Sequence, residues 1–107
     1  MSDRSQKIAS TLHKILGRIL HEELDLSPYG LVTITQVKVT DGLESADVFI
    51  TSTANGNTAV KHLQNNAKHI HEIIRPELTA WRVPKLCFQL DERSEQAERI
   101  ERLLNRK

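Results

Sequence analysis

The sequence predicts an α+β domain, and three patterns carry that expectation. Apolar residues recur at three- and four-residue spacing from residue 2 to about residue 24. A β-branched run then ends on a turn pair and is followed by a second short apolar run, and a proline-led segment near residue 84 alternates with period two. The first spacing belongs to a helix with one buried stripe and the last to a half-buried strand, so one chain must hold both element types.

In the first helix, expected over residues 2–24, the stripe is Ile8, Leu12, Ile15, Leu16, Ile19, Leu20 and Leu24. Asp25 to Gly30, with Ser27-Pro28-Tyr29-Gly30, ends it by turn chemistry. Leu31 to Thr40 is rich in Val, Ile and Thr and reads as a strand. Its apolar phase shifts between Ile34 and Val37, which predicts a twist, a bulge or partial cover on both faces. Asp41-Gly42 is a turn pair, and Ala46 to Thr51 returns as a second strand, completing an antiparallel hairpin in which Phe49 points to the face opposite Val48 and Ile50.

After the turn Asn55-Gly56-Asn57, either Asn57 or Thr58 can cap a helix with the stripe Val60, Leu63, Ala67, Ile70, Ile73 or Ile74, and Leu78. Asn65-Asn66 interrupts it with side chains that bond locally to backbone, so two helices are expected to meet at a kink over Asn66, Ala67, Lys68 and His69. Pro76 should bend or end the second of them. Pro84 lacks an amide donor and holds Val83 extended, so strand pairing becomes complete only beyond it. Leu86, Phe88 and Leu90 then form the buried face until Asp91 stops the strand. Ser94 can cap a last helix over about 94–106, with Ala97, Ile100, Leu103 and Leu104 on one face.

The 107 residues suit one domain, 1–107, with its core over about 4–91, large enough to withdraw roughly two-thirds of the unfolded chain's surface from water. Cys87, the single cysteine, excludes an internal disulfide, fits a reducing cytoplasm and is read as a small core hydrophobe. No run is long and apolar enough to predict a membrane span or a signal sequence. Net charge is +1, which by itself points to no acidic partner. The distribution is more telling: Lys61, Lys68, Arg75, Arg82 and Lys85 cluster, with His62, His69 and His71, against only Glu72 and Glu77. Together they make a basic sector on a nearly neutral protein plausible.

The element order, together with Val32 to Ile50 as a hairpin, Ile74-Arg75, Val83-Pro84-Lys85-Leu86-Cys87-Phe88 with Asp91 and Ser94, and Arg99-Ile100 with Leu103-Leu104, resembles the ribosome-binding factor A family over nearly the whole chain. That resemblance implies a type II KH-like domain. It also implies a non-catalytic assembly factor that binds the immature small (30S) ribosomal subunit and its 16S rRNA, supports late maturation and precursor processing, and matters most in the cold. The family replaces the Gly-x-x-Gly loop of ordinary KH domains by an Ala-x-Gly kink. Ala67-Lys68-His69 stands at the matching position, with His69 in place of the glycine.

No Gly-x-x-Gly loop is present, so the RNA contact the resemblance implies is expected through shape and cationic side chains rather than a clamped single strand, with Lys61, Lys68, Arg75, Arg82 and Lys85 as the RNA-binding candidates and Arg4 and Lys7 on the first helix extending the surface. Among aromatics, Phe88 belongs to the core stripe, whereas Trp81 suits either boundary packing or surface recognition. His13 and His21 are read as solvated. His69 and Glu72, at i and i+3, are the best two metal ligands, and two do not make a site; no catalytic residue, metal, cofactor or small-molecule substrate is expected. A monomer is expected. The competing reading is a small α+β adaptor docking a protein partner through its C-terminal helix.

Overall fold

The computed structural model describes residues 3–78 and 82–93. The expected helix over 94–106, its cap Ser94, and Trp81 lie outside the described residues. Helix α1 spans Asp3–Glu22 and strands β1 and β2 span Val32–Val39 and Ser45–Ser52. Helices α2 (Gly56–Asn65) and α3 (Ala67–Ile74) follow, then strand β3 (Lys85–Leu90). Short 3₁₀ turns occupy Ser27–Tyr29 and Arg75–Glu77.

The strands lie in the order β1-β2-β3, with β1 antiparallel and β3 parallel to the central β2. Parallel pairing of β2 with β3 requires a crossover, and α2–α3 supplies it. The sheet buries one face beneath the helices: Val32, Ile34, Val37 and Val39 from β1, Ala46, Val48 and Ile50 from β2, and Leu86 and Phe88 from β3. They meet the α1 stripe of Ile8, Leu12, Leu16, Ile19 and Leu20.

The phase shift in β1 is a bulge. The register passes from Ile34 opposite Ile50 to Gln36 opposite Phe49, leaving Thr35 as the extra residue. The bulge moves the inward positions from even to odd numbers, which keeps Val37 and Val39 buried and turns Lys38 outward. Phe49 faces the open side, half-buried, with Lys38 Nζ 5.7 Å from its ring centroid. Pro84 is fully buried, and the Lys85 amide donates the first ladder bond to Glu44 O at 3.0 Å.

Several details depart from the sequence reading. The hairpin's positive φ (57°) falls on buried Leu43 and not on Gly42, because Leu43 enters the core while the Thr40 hydroxyl accepts the Glu44 and Ser45 amides. Helix α2 starts at Gly56, ahead of the proposed caps Asn57 and Thr58. Asn55 sits at the N-cap in the left-handed region, and its amide donates to Pro28 O. Ala59 takes the buried position expected of Val60. His13 is half-buried rather than solvated, with Nε2 3.1 Å from Ile34 O. Cys87 is no core residue: it is half-buried on the open face, as the alternation that buries its neighbours Leu86 and Phe88 requires.

Candidate functional site

The break between α2 and α3 falls on Asn66 (φ −100°, ψ 6°), whose Nδ2 donates to His62 O at 2.8 Å. Ala67, Lys68 and His69, expected in the kink, form the first turn of α3. His69 is therefore helical and exposed, in a conformation that has no need of glycine.

Helices α2 and α3 run back along the outer edge of β3. The first turn of α2 touches the far end of the strand, where a Cβ added to Gly56 would lie 2.9 Å from Leu90 Cδ1. Midway, Gln64 Nε2 donates to Leu86 O at 3.2 Å, and the Phe88 amide donates to Gln64 Oε1 at 2.8 Å. One helix later, His71 Nε2 lies 3.2 Å from Val83 O, fixing the approach to the strand.

This arrangement opens a groove of about 740 Å³ between α3 and the segment entering β3. Lys68 and Arg75 line it from the helix and its end, Arg82 and Lys85 from the incoming strand. All four are exposed, and among the described residues none of them is ion-paired. Glu44 and Glu72 face the same groove, so it carries four cations against two carboxylates. The groove can hold a polyanion by charge, and its floor, a bonded strand edge, offers little else.

The other three candidate cations lie elsewhere. Lys61 lines a second hollow of about 860 Å³ at the far end of β3, with Lys38, Phe49 and Arg93. Arg4 and Lys7 are exposed on the first turns of α1 and line neither hollow. Lys38 and Arg93 escaped the sequence reading, although the β1 phase shift was a signal for Lys38. Gln64 left no signal, since a helical glutamine reads as a surface residue, and His71 stood only within the basic cluster, with nothing to mark its contact with Val83 O.

Beside the second hollow, Asp91 is only 4% exposed. It accepts the Thr35 hydroxyl at 2.6 Å, the Arg93 amide at 3.1 Å and the Arg93 guanidinium, while Arg93 also reaches Gln36. The Thr35 bond, ahead of those from Arg93, holds the Asp91 carboxyl below the usual carboxylate range against the opposing effect of burial. The residue expected to stop β3 thus ties its end to the bulge of β1, two strands away. Among the described residues no three His, Cys, Asp or Glu side chains gather as a metal site, and no helix is long and apolar enough to cross a membrane.

A helix–strand–strand–helix–helix–strand chain with β2 and β3 parallel is a type II KH-like α+β domain, here with a cationic groove where the helix pair meets the entry to β3. The sequence profile of the ribosome-binding factor A family matches residues 4–104, and the chain belongs to that family. It is 38% identical over 109 residues to ribosome-binding factor A of Chlorobium phaeobacteroides, covering 97% of this chain and 93% of that one. Against the Prosthecochloris aestuarii protein of the same name it is also 38% identical, with 97% and 88% covered. The crystal structure of the Thermus thermophilus factor superposes with a TM-score of 0.72 at 15% identity, over 80% of this chain and 94% of that one. A homology model of the Thermus factor, fitted into a cryo-electron-microscopy map of a 30S complex, gives 0.68 at 16% identity, over 76% and 88%. Those two likenesses establish the fold.

Proposed function

We propose that this chain binds the immature small ribosomal subunit, with the groove of Lys68, Arg75, Arg82 and Lys85 seated on the sugar-phosphate backbone of its 16S rRNA. The observation that carries this is the convergence of four cations without ionic partners among the described residues, in a chain whose family is named for ribosome binding. The Thermus relative fitted into a 30S map supports the choice of the small subunit. Backbone contact by side-chain cations suits a domain with no Gly-x-x-Gly loop, and helical geometry through His69 leaves no glycine-hinged clamp.

On this reading the protein acts in the cytoplasm as a non-catalytic, single-domain monomer late in subunit maturation, supports processing of the rRNA precursor and is needed most at low temperature. The test is co-sedimentation: in low-salt lysate the full chain should travel with free small subunits. Its absence from that fraction would reject the proposal. In a strain lacking the protein, precursor small-subunit rRNA should accumulate on cooling, and normal processing there would remove the maturation role.

A further inference from the structure

The hollow at the Leu90 end of β3 differs in kind from the groove. Its floor is the open face of the sheet, where Phe49 of the central strand stands between Gln36 of β1 and Gln89 of β3, each directly opposite it in the ladders. Phe88 is buried in the core, so Phe49, half-buried, is the aromatic ring the sheet leaves on its open side. Lys38, Lys61 and Arg93 reach the hollow, but Asp91 and Glu92 line it too, and Asp47 stands opposite Lys38 in the ladder. Charge there nearly cancels, whereas the groove holds four cations against two carboxylates. A phosphate gains little from such a balance, and a neutral planar ring loses nothing by it.

The two glutamine amides flank the ring. Gln36 Oε1 accepts the Arg93 guanidinium at 3.1 Å, and Gln89 Nε2 donates to Asp47 Oδ1 at 2.9 Å. That leaves the Gln36 Nε2 donor and the Gln89 Oε1 acceptor without a bond among the described residues, one on each side of Phe49. Nucleobase edges present both donors and acceptors, and their faces stack on aromatic rings whatever the base. Lys38 Nζ lies 5.7 Å from the ring centroid. A cation–π contact at an exposed site is weaker than the stacking of a base, so a base can displace it.

We infer that Phe49, with Gln36 and Gln89 beside it, is a stacking site for an unpaired base of the RNA whose backbone lies in the groove, an inference that rests on the assignment of the groove to rRNA. The open side of β3 joins the two places: Lys85 lines the groove and Gln89 the hollow, with Cys87 between them, a span of about 13 Å at about 3.3 Å per residue. The base must be unpaired, because a duplex hides its faces. The site therefore selects single-stranded rRNA, a discrimination that the charges of the groove do not make.

The experiment titrates the full-length protein with pentauridylate, and with an abasic RNA of the same length and charge, at several salt concentrations. Wild type should bind pentauridylate at least about fivefold more tightly than the abasic strand, as one stacked base requires. Phe49→Ala should lose at least about fivefold for pentauridylate, keep its affinity for the abasic strand and leave the salt slope unchanged, because stacking releases no counterions. Phe49→Tyr keeps the ring and should bind as wild type does, and thermal melts confirm that both variants fold. In NMR spectra the side-chain amides of Gln36 and Gln89 should shift with pentauridylate and not with the abasic strand. Failure of pentauridylate to bind, an abasic strand bound as tightly, unshifted amides, or a folded Phe49→Ala protein that binds pentauridylate as wild type does would each overturn the inference. So would nuclear Overhauser contacts of the Phe49 ring with Ile100, Leu103 or Leu104, since the chain's own last residues would then occupy the site. Co-sedimentation with small subunits is read separately, so failure of the groove assignment is distinguishable from failure of the stacking site.

Discussion

If Lys68, Arg75, Arg82 and Lys85 all rest on phosphates, their number sets the salt dependence of binding to purified small subunits. Each neutralised phosphate contributes about 0.7–0.9 to the slope of log affinity against log salt, because condensed counterions are released. Four such contacts predict a slope between about −2.8 and −3.6, so raising salt from about 50 to about 200 mM should weaken binding by about 50- to 150-fold. Changing one of the four to Gln should reduce the slope by about 0.7–0.9 and shrink that salt effect by a factor of about 2.6–3.5. Glu44→Gln and Glu72→Gln have the opposite sign, since each removes a like charge from the groove and should tighten binding at low salt. Filter binding or a sedimentation titration at four or five salt concentrations reads these effects, with a circular-dichroism melt to confirm folding. Slopes unchanged by all four substitutions would refute the assignment. So would slopes that respond to Arg4, Lys7 or Lys61 instead, because those side chains lie outside the groove.

Three further outcomes concern the scaffold. Thr35→Val removes the 2.6 Å bond to buried Asp91 and should cost about 1.5–3 kcal/mol at neutral pH, measured by urea titration. Because the folded-state pKa of Asp91 is depressed, its contribution is present above the ordinary carboxylate range and is lost as pH falls through the folded value. The gap between wild type and variant should therefore close in acid below about pH 4, and a gap constant to pH 2 would show that the bond is not to a carboxylate. Gly30→Ala places a Cβ 2.0 Å from Thr53 Oγ1 at φ +67°, and should lower stability by at least about 1–3 kcal/mol in the same titration. Phe88→Ala should cost about 3–5 kcal/mol by opening the core beneath β3, visible as a large drop in melting temperature.

Much of the fold was legible in one dimension, because local periodicity carries it. The α1 stripe, the phase shift in β1 and the proline-started β3 each follow from the spacing of apolar residues and from proline's missing donor, while the pairing with β2 made that shift a bulge at Thr35. Resemblance to the family rested on the same scaffold residues, chiefly the block from Val83 to Asp91, most of which hold the sheet and do not touch the groove. The two hollows were not legible. Lys61 and Lys68 are seven residues apart and belong to one basic cluster in the sequence, yet about 10 Å of helix rise separates such positions. The Gln64 bridge to β3 falls between them, leaving Lys61 at the Leu90 end and Lys68 at the Val83 end. The roles of His13, Gln64, His71 and Asp91 were likewise hidden, since each bonds a residue 12 to 56 positions away. Local spacing is enough for the elements, the faces they bury and the resemblance to the family. Only the packing of α2–α3 along the edge of β3 decided which cations meet and which backbone groups are closed, because partners so distant along the chain are set by how elements dock.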